Sequence, residues 1–380
     1  MSARSSFTVE PGGPLRGRLR MPGDKSISHR ALLVAARADG TSTVRGLSTG
    51  DDVLRTAAAV VAMGAVIEGD SIHGGLARLR EPDHVIDVGN SGTCIRLLAG
   101  FAAALPWLTV LQGDESIARR PMDRVVEPLR AMGATIDGRH GGRLAPLVIR
   151  GGDLHGIDYT PPVASAQVKG AVLLAGAGAS SATVVREAHP TRMHTEEVLA
   201  RAGAAITVDP VARTSQVEPG PLAPFSLDVP GDPSQAAFWV VAASIVPGSD
   251  LTIENVYVGP ARAGFIDVLR RMGASIDVVV ADGGAAATAD IRVRTAPLHG
   301  TEVAGAEIPG LDEIPVLAVA AACAEGVTVF HDVAELRVKE SDRIATTTAE
   351  LAALGVRIEG GPDRITVHGG DVRGGHVQSH

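Results

Sequence analysis

Apolar residues recur along this chain in blocks that end five times at a glycine. Each junction follows a run with one apolar and one polar face and precedes a short strand-like stretch. The junction glycines are Gly64, Gly133, Gly203, Gly273 and Gly355, separated by 69, 70, 70 and 82 residues. So regular a recurrence indicates one supersecondary unit used repeatedly. We expect each glycine to end an amphipathic outer helix in the left-handed conformation.

A second run in each unit is alanine-rich and apolar all round, which is typical of a buried inner helix. Small polar residues introduce these runs at 23–30, 89–96, 165–170, 230–235 and 311–315. Such residues are helix N-terminus signals, and capping alone would account for each of them. Short β-branched stretches predict strands in every unit, at 41–47, 108–113, 183–189, 251–258 and 327–334.

Helices and strands alternating in this way predict an α/β (α+β) fold with sheets covered by helices. At 380 residues the chain is long enough for two domains. Extended stretches at 18–22 and 227–230 are the best boundaries. We therefore expect one discontinuous domain from 1–22 plus 230–380, and a second domain of three units from 23–229.

The charge, apolar runs, cysteines and histidines of the chain limit the classes of partner and cofactor that it is expected to bind. The net charge of −8 and pI of about 5.8 disfavour a nucleic-acid partner. No apolar run is long enough to span a bilayer, and no leader is apparent, so we expect a cytoplasmic location and no membrane partner. Cys94 and Cys323 lie in apolar runs and are expected to be buried thiols. The twelve histidines show no metal-ligand spacing, so no metal or other cofactor is expected.

Basic residues recur in or near the polar introductions despite the acidic composition. They are Lys25, Arg30, Arg96, Arg119, Arg120, Lys169, Arg192, Arg337, Lys339 and Arg343. Helix N-termini and arginine both bind phosphate and carboxylate, so their convergence would form an anion site. The alternative is that these are scattered surface cations. The stretch at 23–26 has some likeness to a phosphate-binding loop but lacks the required glycines.

Three carboxylates, Asp312, Glu313 and Glu340, stand amid these cations and are candidates for proton transfer. For Asp312, helix capping is an equally good interpretation from the residues alone.

Eight ordered motifs give the chain a specific resemblance to a known family, over residues 11 to 380. They are PGDKSISHR, GNSGTCIRLL, GDESIARRPMDRV, SAQVKGAVLLAG, TRMHTEEVL, PGDPSQAAFWVVAA, LDEIPVLAVAA and ELRVKESDRI. They resemble the 5-enolpyruvylshikimate-3-phosphate synthases (3-phosphoshikimate 1-carboxyvinyltransferases), in forms similar to the class II bacterial branch. The resemblance implies two domains of three βαβαββ units each, with the active site between them.

The resemblance also implies roles for particular residues. Catalytic groups would be Asp312, Glu340 and Lys25. Shikimate 3-phosphate would be bound by Lys25, Ser26, Arg30, Ser165, Ala166, Gln167, Arg192, Asp312 and Lys339. Phosphoenolpyruvate would be bound by Lys25, Asn90, Gly92, Thr93, Arg120, Gln167 and Arg343, with Lys339 also on that side.

The implied reaction transfers enolpyruvyl from phosphoenolpyruvate to the 5-hydroxyl of shikimate 3-phosphate by addition and elimination, in aromatic amino acid biosynthesis. It requires no metal or covalent enzyme intermediate. The chain is expected to be a monomer whose partners are these two small molecules, and closure of the domains on them is expected.

Three alternatives remain open. The related enolpyruvyl transferase acting on UDP-N-acetylglucosamine usually has a reactive cysteine in its mobile loop, whereas this chain reads GDESIARRP there. RNA 3′-phosphate cyclases share related repeats but do not fit the acidic pI. The third alternative is a binding fragment that does not turn over. Counting the repeat forward places a sixth inner helix between 378 and 392, whereas the sequence ends at His380. We therefore expect five of six units and a C-terminally truncated chain.

Overall fold

A computed structural model describes residues 6–281 and 287–379, so the first few residues and the last residue of the predicted discontinuous domain lie outside it. All five predicted inner helices are present. Each begins at one of the polar introductions, where Asp24, Ser91, Ser165 and Asp232 act as side-chain N-caps for the first four. The inner helices are α1 (Lys25–Arg37), α3 (Gly92–Ala103), α7 (Ala166–Gly176), α9 (Pro233–Ile245) and α11 (Ile314–Ala322).

The five predicted outer helices are also confirmed, and each stops two residues before its junction glycine. They are α2 (Asp51–Ala62), α5 (Asp123–Ala131), α8 (His194–Arg201), α10 (Gly264–Arg271) and α12 (Arg343–Ala353). All five glycines have φ between 77° and 109°. Left-handed glycine therefore ends each outer helix, as predicted. Two short helices, α4 (Glu115–Arg119) and α6 (Arg139–Gly142), complete the set within the described ranges.

Five four-stranded sheets lie in the described part of the chain, one for each unit. The strands of each sheet are given in their order across the sheet. The first sheet is β13 (Ser226–Asp228), β2 (Gly40–Arg45), β4 (Ser71–Gly74) and β3 (Val66–Glu68). The second is β5 (Ile86–Asp87), β6 (Leu108–Gln112), β8 (Leu144–Arg150) and β7 (Thr135–Gly138). The third is β11 (Ile206–Asp209), β12 (Thr214–Val217), β10 (Thr183–Arg186) and β9 (Asp158–Tyr159). The fourth is β1 (Arg16–Arg20), β14 (Asp250–Tyr257), β16 (Thr288–Arg294) and β15 (Ser275–Val280). The fifth is β17 (Glu302–Ala304), β18 (Val327–His331), β20 (Arg364–His368) and β19 (Arg357–Gly360).

In three units a strand, an inner helix and a parallel strand follow one another and share a sheet, as in β5–α3–β6. The other two units exchange their first strands. Strand β1, which precedes α1, pairs with β14, and β13, which precedes α9, pairs with β2. The chain therefore passes twice through one crossover, at residues 22–24 and 230–232. There the backbone N–H of Asp24 donates to the carbonyl of Pro230 at 2.7 Å, and that of Asp232 donates to Pro22 at 3.0 Å.

Two separate hydrophobic cores lie on either side of the crossover. The N-terminal core is built from residues between 27 and 229, with Tyr257 added, and the C-terminal core from residues between 236 and 367. Cys94 is buried in the N-terminal core as predicted. The prediction for Cys323 is wrong: it follows the last residue of α11 and is exposed, because the helix ends one residue before it. No helix in the described residues is long and apolar enough to cross a membrane.

Candidate active site

A cleft of about 1430 Å³ lies between the two cores, and the N-terminal ends of all five inner helices contribute to its wall. Helix N-termini carry partial positive charge and free N–H groups. Nine basic side chains add to this charge: Lys25, Arg30, Arg96, Arg120, Arg124, Arg192, Arg262, Lys339 and Arg343. The predicted convergence of helix starts and cations is therefore present, although the whole chain is acidic.

Asp312 lies at the centre of the cleft, where three cations surround its carboxylate. Arg192 Nη2 is 2.6 Å from Asp312 Oδ2, while Arg343 Nη1 and Lys339 Nζ lie 3.3 and 3.5 Å from Oδ1. Burial by itself would raise the pKa of Asp312, but these cations outweigh it and hold the pKa far below its ordinary value. Because α11 begins after Glu313, Asp312 does not cap the helix, and the capping interpretation is wrong.

Arg30 is the most deeply placed cation of the cleft wall. Its Nε donates to Thr195 Oγ1 at 2.6 Å, and its other two nitrogens donate to the carbonyls of Ser26 and Ala166. Burial lowers the pKa of Arg30 to about 10, so it remains charged at neutral pH. Arg30 therefore ties the starts of α1 and α7 together. Arg192 Nη1 also approaches Ser26 Oγ, at 3.4 Å.

A second cluster of basic residues lies around Glu340. Arg343 Nη2 is 2.7 Å from Glu340 Oε2, and Arg120 Nη2 is 3.6 Å from Oε1. Burial lowers the pKa of Arg96 to about 10, and the neighbouring Arg120 and Arg124 act in the same direction. Such mutual repulsion among arginines favours an anionic ligand. Since Arg343 contacts both Asp312 and Glu340, it joins the two clusters.

Polar and small residues fix the arginines of the second cluster. Gln167 receives a hydrogen bond from Arg96 Nη1 at 3.0 Å and donates to Thr93 Oγ1 at 2.9 Å. At Gly92 a Cβ atom would lie only 2.5 Å from Arg120 Nη1. The glycine at the start of α3 therefore leaves the space that the Arg120 guanidinium occupies.

The family resemblance assigns catalytic or substrate-binding roles to fifteen residues, and thirteen of them line the cleft: Lys25, Ser26, Arg30, Thr93, Arg120, Ser165, Ala166, Gln167, Arg192, Asp312, Lys339, Glu340 and Arg343. Gly92 lies directly behind Arg120. Asn90 instead lines a smaller pocket with Asp51, Arg55 and Asp87. Lys25 reaches Asp52 at 3.1 Å, across the start of α2.

Three predicted members of the cation set do not line the cleft: Arg119, Lys169 and Arg337. Lys169 is buried with its Nζ 2.7 Å from Glu187 and 2.8 Å from Glu196, which neutralise it. Arg119 ends α4, and Arg337 pairs with Asp342 at 2.5 Å. Neither Arg119 nor Arg120 opens an outer helix, since α5 begins at Asp123.

Two arginines of the cleft lining, Arg124 and Arg262, were not predicted from the sequence. Arg124 pairs with Glu335 at 3.0 Å. The guanidinium of Arg262 is buried among three carboxylates, 2.8 Å from Asp24, 3.1 Å from Asp232 and 3.6 Å from Glu313. The repeat held a signal for it: Arg262 stands eleven residues before its junction glycine, as Arg192 does in the preceding unit.

Within residues 6–281 and 287–379 no group of three or more His, Cys, Asp or Glu side chains is placed to hold a metal ion. The cleft instead offers arginine, lysine and helix N–H donors to phosphate and carboxylate groups. Among the carboxylates of the lining, Asp312 and Glu340 each contact more than one of these cations, and such carboxylates are suited to acid–base chemistry on a bound anion.

Comparison with known proteins gives consistent results. The family model described as "EPSP synthase (3-phosphoshikimate 1-carboxyvinyltransferase)" matches residues 9–380. The 3-phosphoshikimate 1-carboxyvinyltransferase of Alkalilimnicola ehrlichii is 50% identical, over 98% of this chain and 86% of that protein. The corresponding protein of Bacillus anthracis is 48% identical, over 98% and 89%.

Solved structures of similar fold include one enzyme of this name and one more distant relative. An EPSP synthase from Acinetobacter baumannii superposes with a TM-score of 0.83 at 40% identity, covering 94% of this chain and 83% of that one. The enolpyruvyl transferase NikO from Streptomyces tendae, at 19% identity, shares the fold with a TM-score of 0.70. With the family model matching nearly the whole length and relatives at about half identity, this chain belongs to the EPSP synthase family.

Proposed function

We propose that this chain transfers the enolpyruvyl group of phosphoenolpyruvate to the 5-hydroxyl of shikimate 3-phosphate and releases phosphate. One observation carries the proposal. Two clusters of cations, one around Asp312 and one around Glu340, share a single cleft and are joined by Arg343. Two phosphorylated substrates that repel each other need such paired sites to be held together.

In this assignment the Asp312 cluster holds shikimate 3-phosphate. Ser26, Ser165 and Arg192 bind its phosphate, and the Asp312 carboxylate accepts hydrogen bonds from its hydroxyls. The three cations that lower the pKa of Asp312 keep it ionised, so it is an acceptor throughout the neutral pH range. Arg30 supports this subsite from behind through its contacts with α1 and α7.

The Glu340 cluster holds phosphoenolpyruvate. Arg120 and Arg343 bind its anionic groups. Gln167 and Thr93, which are hydrogen-bonded to each other, also line the cleft and belong to this subsite. Lys25, at the start of α1, also lines the cleft and is assigned to both substrates. Asn90 lines a smaller pocket, and its contact with phosphoenolpyruvate stays a prediction.

The reaction proceeds in two steps. In the first, the 5-hydroxyl oxygen bonds to C2 of phosphoenolpyruvate and its proton passes to the acid–base pair Asp312 and Lys25, while C3 accepts a proton from Glu340. In the second, the C2–O bond to phosphate breaks, the departing phosphate takes the proton held by that pair, C3 returns a proton to Glu340, and the enol ether and phosphate leave. Asp312 and Lys25 complete the acid–base set. Proton transfer by positioned groups contributes roughly 10²–10⁴-fold to such a rate.

The chain is further proposed to divide into domains 23–229 and 1–22 plus 230–380, to act as a monomer and to work in the cytoplasm. The two hydrophobic cores support the domain division. Light scattering coupled to size exclusion tests the monomer: a mass near 38.9 kDa is expected, and twice that value would contradict it.

A phosphate-release assay tests the function. Phosphate is expected only when both substrates are present. Release with UDP-N-acetylglucosamine in place of shikimate 3-phosphate would overturn the assignment. If calorimetry detects binding of shikimate 3-phosphate but no phosphate is released, the chain is a binding protein and not an enzyme.

Three variants separate the two subsites. Arg192→Met is expected to raise KM for shikimate 3-phosphate, and Arg120→Met to raise KM for phosphoenolpyruvate. Each should do so by roughly 10–150-fold, because a hydrogen bond to a charged group is worth about 1.5–3 kcal/mol. Arg186→Met is the control: Arg186 forms an exposed two-point pair with Asp158 away from the cleft, and its loss should leave both KM values unchanged. An equal rise in both values for either cleft variant would contradict separate subsites.

A further inference from the structure

The buried arginine at the crossover has no part in the mechanism above, although it stands beside the cleft. Arg262 comes from the loop before α10 and is almost fully buried. Its Nη2 donates to Asp24 at 2.8 Å and to Asp232 at 3.1 Å, and its Nη1 donates to Ser234 Oγ at 3.1 Å. One guanidinium therefore holds together carboxylates from both halves of the chain.

Each of these carboxylates belongs to the start of an inner helix. Asp24 caps α1 by accepting from the N–H of Ile27, and Asp232 caps α9 by accepting from the N–H of Ser234. Asp232 also reaches across the crossover, where its Oδ2 accepts from the backbone N–H of Lys25 at 3.1 Å. The start of α1 is thus fixed by a carboxylate of the other core.

The third carboxylate extends the network to the centre of the cleft. Glu313 Oε1 accepts from Ser234 Oγ at 2.5 Å and lies 3.6 Å from Arg262 Nη1. Glu313 directly follows Asp312, the carboxylate that three cations surround. A shift of Glu313 would therefore move Asp312 as well.

We propose that Arg262 is a positioning residue, which fixes the starts of α1, α9 and α11 relative to one another and so sets the places of Lys25, Ser26 and Asp312 in the cleft. It contacts no substrate in this scheme. Its repeat-related counterpart Arg192 points into the cleft, while Arg262 turns to the carboxylates at the crossover. The same repeat position thus serves ligand binding in one unit and alignment of the two cores in the next. The inference rests on the proposed function for its kinetic test but not for its binding test.

The experiment compares the unsubstituted 380-residue chain with Arg262→Met, Arg262→Lys and a control, Arg292→Met. Arg292 also pairs at two points with a carboxylate, Asp250, but does so on the exposed face of one sheet. Circular dichroism and Tm establish the folded fraction of each variant, and all rates are expressed per folded molecule.

For Arg262→Met, kcat/KM is expected to fall by roughly 100-fold, the loss that a misplacement of about 1 Å can cause. KM should rise for both substrates, because α1 and α11 serve both subsites. Arg262→Lys keeps a cation but not the forked geometry of the guanidinium, so its kcat/KM should fall only about three- to tenfold, and Arg292→Met should stay within about twofold. A merely structural role would lower Tm and the folded fraction while leaving KM per folded molecule unchanged.

Two results would overturn the proposal. One is a folded Arg262→Met variant whose kcat/KM lies within about threefold of wild type; the other is equal impairment by Met and Lys. If Arg262→Met does not fold, Arg262→Lys is the deciding variant. Wild-type KM values for both substrates in that variant would refute the proposal. If the wild type releases no phosphate, calorimetric binding of shikimate 3-phosphate replaces kinetics. A loss of at least about threefold in affinity for the lysine variant then supports positioning, and unchanged affinity refutes the proposal.

Discussion

Substitution of Gly92 by alanine is expected to separate ligand binding from stability. Gly92 opens α3 with an ordinary helical backbone, so alanine introduces no backbone strain. The new methyl would lie 2.5 Å from Arg120 Nη1 and 3.0 Å from Arg96 Nη1. Ordinary contacts begin at 3.4 Å, so the Arg120 guanidinium must withdraw by about 0.9 Å (3.4 − 2.5).

The size of the effect follows from which group moves. A guanidinium is the far end of a flexible side chain, and its displacement costs the fold little. Removing the freedom of glycine from the unfolded chain stabilises a protein by about 0.4–1 kcal/mol. On the ligand side, a weakened charge-assisted hydrogen bond from Arg120 costs up to about 1.5–3 kcal/mol, or roughly 10–150-fold in affinity. Gly92→Ala should therefore raise KM for phosphoenolpyruvate without lowering Tm.

The assay measures KM for each substrate by phosphate release, and Tm by calorimetry. Gly100→Ala, eight residues along the same helix, is the matched control. Its methyl would lie 2.2 Å from the backbone carbonyl oxygen of Ala171 in α7, which cannot move aside. That variant should lose about 1–3 kcal/mol of stability. If Gly92→Ala lowers Tm as much as the control does and leaves KM for phosphoenolpyruvate unchanged, the reasoning is refuted.

Three further predictions concern buried or central charges. Lys169→Met leaves two buried glutamates unpaired and should lower the free energy of unfolding by about 3–5 kcal/mol in urea titration, whereas an unchanged midpoint would contradict the ion-pair assignment. Glu340→Gln should lower kcat by roughly 10²–10⁴-fold with a smaller change in either KM, and full activity would exclude it as the proton donor. Burial, and then neighbouring cations, lower the pKa of His29 to about 3. As pH falls, the imidazole of the unfolded chain therefore becomes protonated before that of the folded chain. Stability should fall as pH drops from 6.5 toward 3, by about 3 kcal/mol between pH 7 and 4, and His29→Asn should lack that component when unfolding is measured at both pH values.

The repeat unit could be predicted because local chemistry determines it. A polar cap before an all-apolar run defines each inner helix, and a glycine able to take positive φ defines the end of each outer helix. The exchange of β1 and β13 between two units could not be predicted. Periodicity says which stretches are strands but not which strand of another unit each will pair with.

The site was predictable to the extent that motifs identified it. Motif resemblance brought Arg192, Asp312 and Glu340 together, whereas cation counting also selected Lys169. Charge alone does not tell whether a lysine faces a ligand or a buried glutamate 18 residues away, as Lys169 does with Glu187. Arg262 was missed because its carboxylate partners come from distant parts of the chain and meet only at the crossover.

The exchange of first strands also dictates an order of assembly. Strand β1 is synthesised well before its partner β14, which begins 234 residues later, as the pairing of Arg16 with Asp250 shows. At about 5–20 residues per second, β1 waits roughly 12–50 s on the ribosome for that partner. Residues 23–229, whose sheets pair only among themselves, can fold during this interval. Strand β1 is thus made before these residues but incorporated after them, and an early stop in translation would leave a folded N-terminal core carrying an unpaired β1.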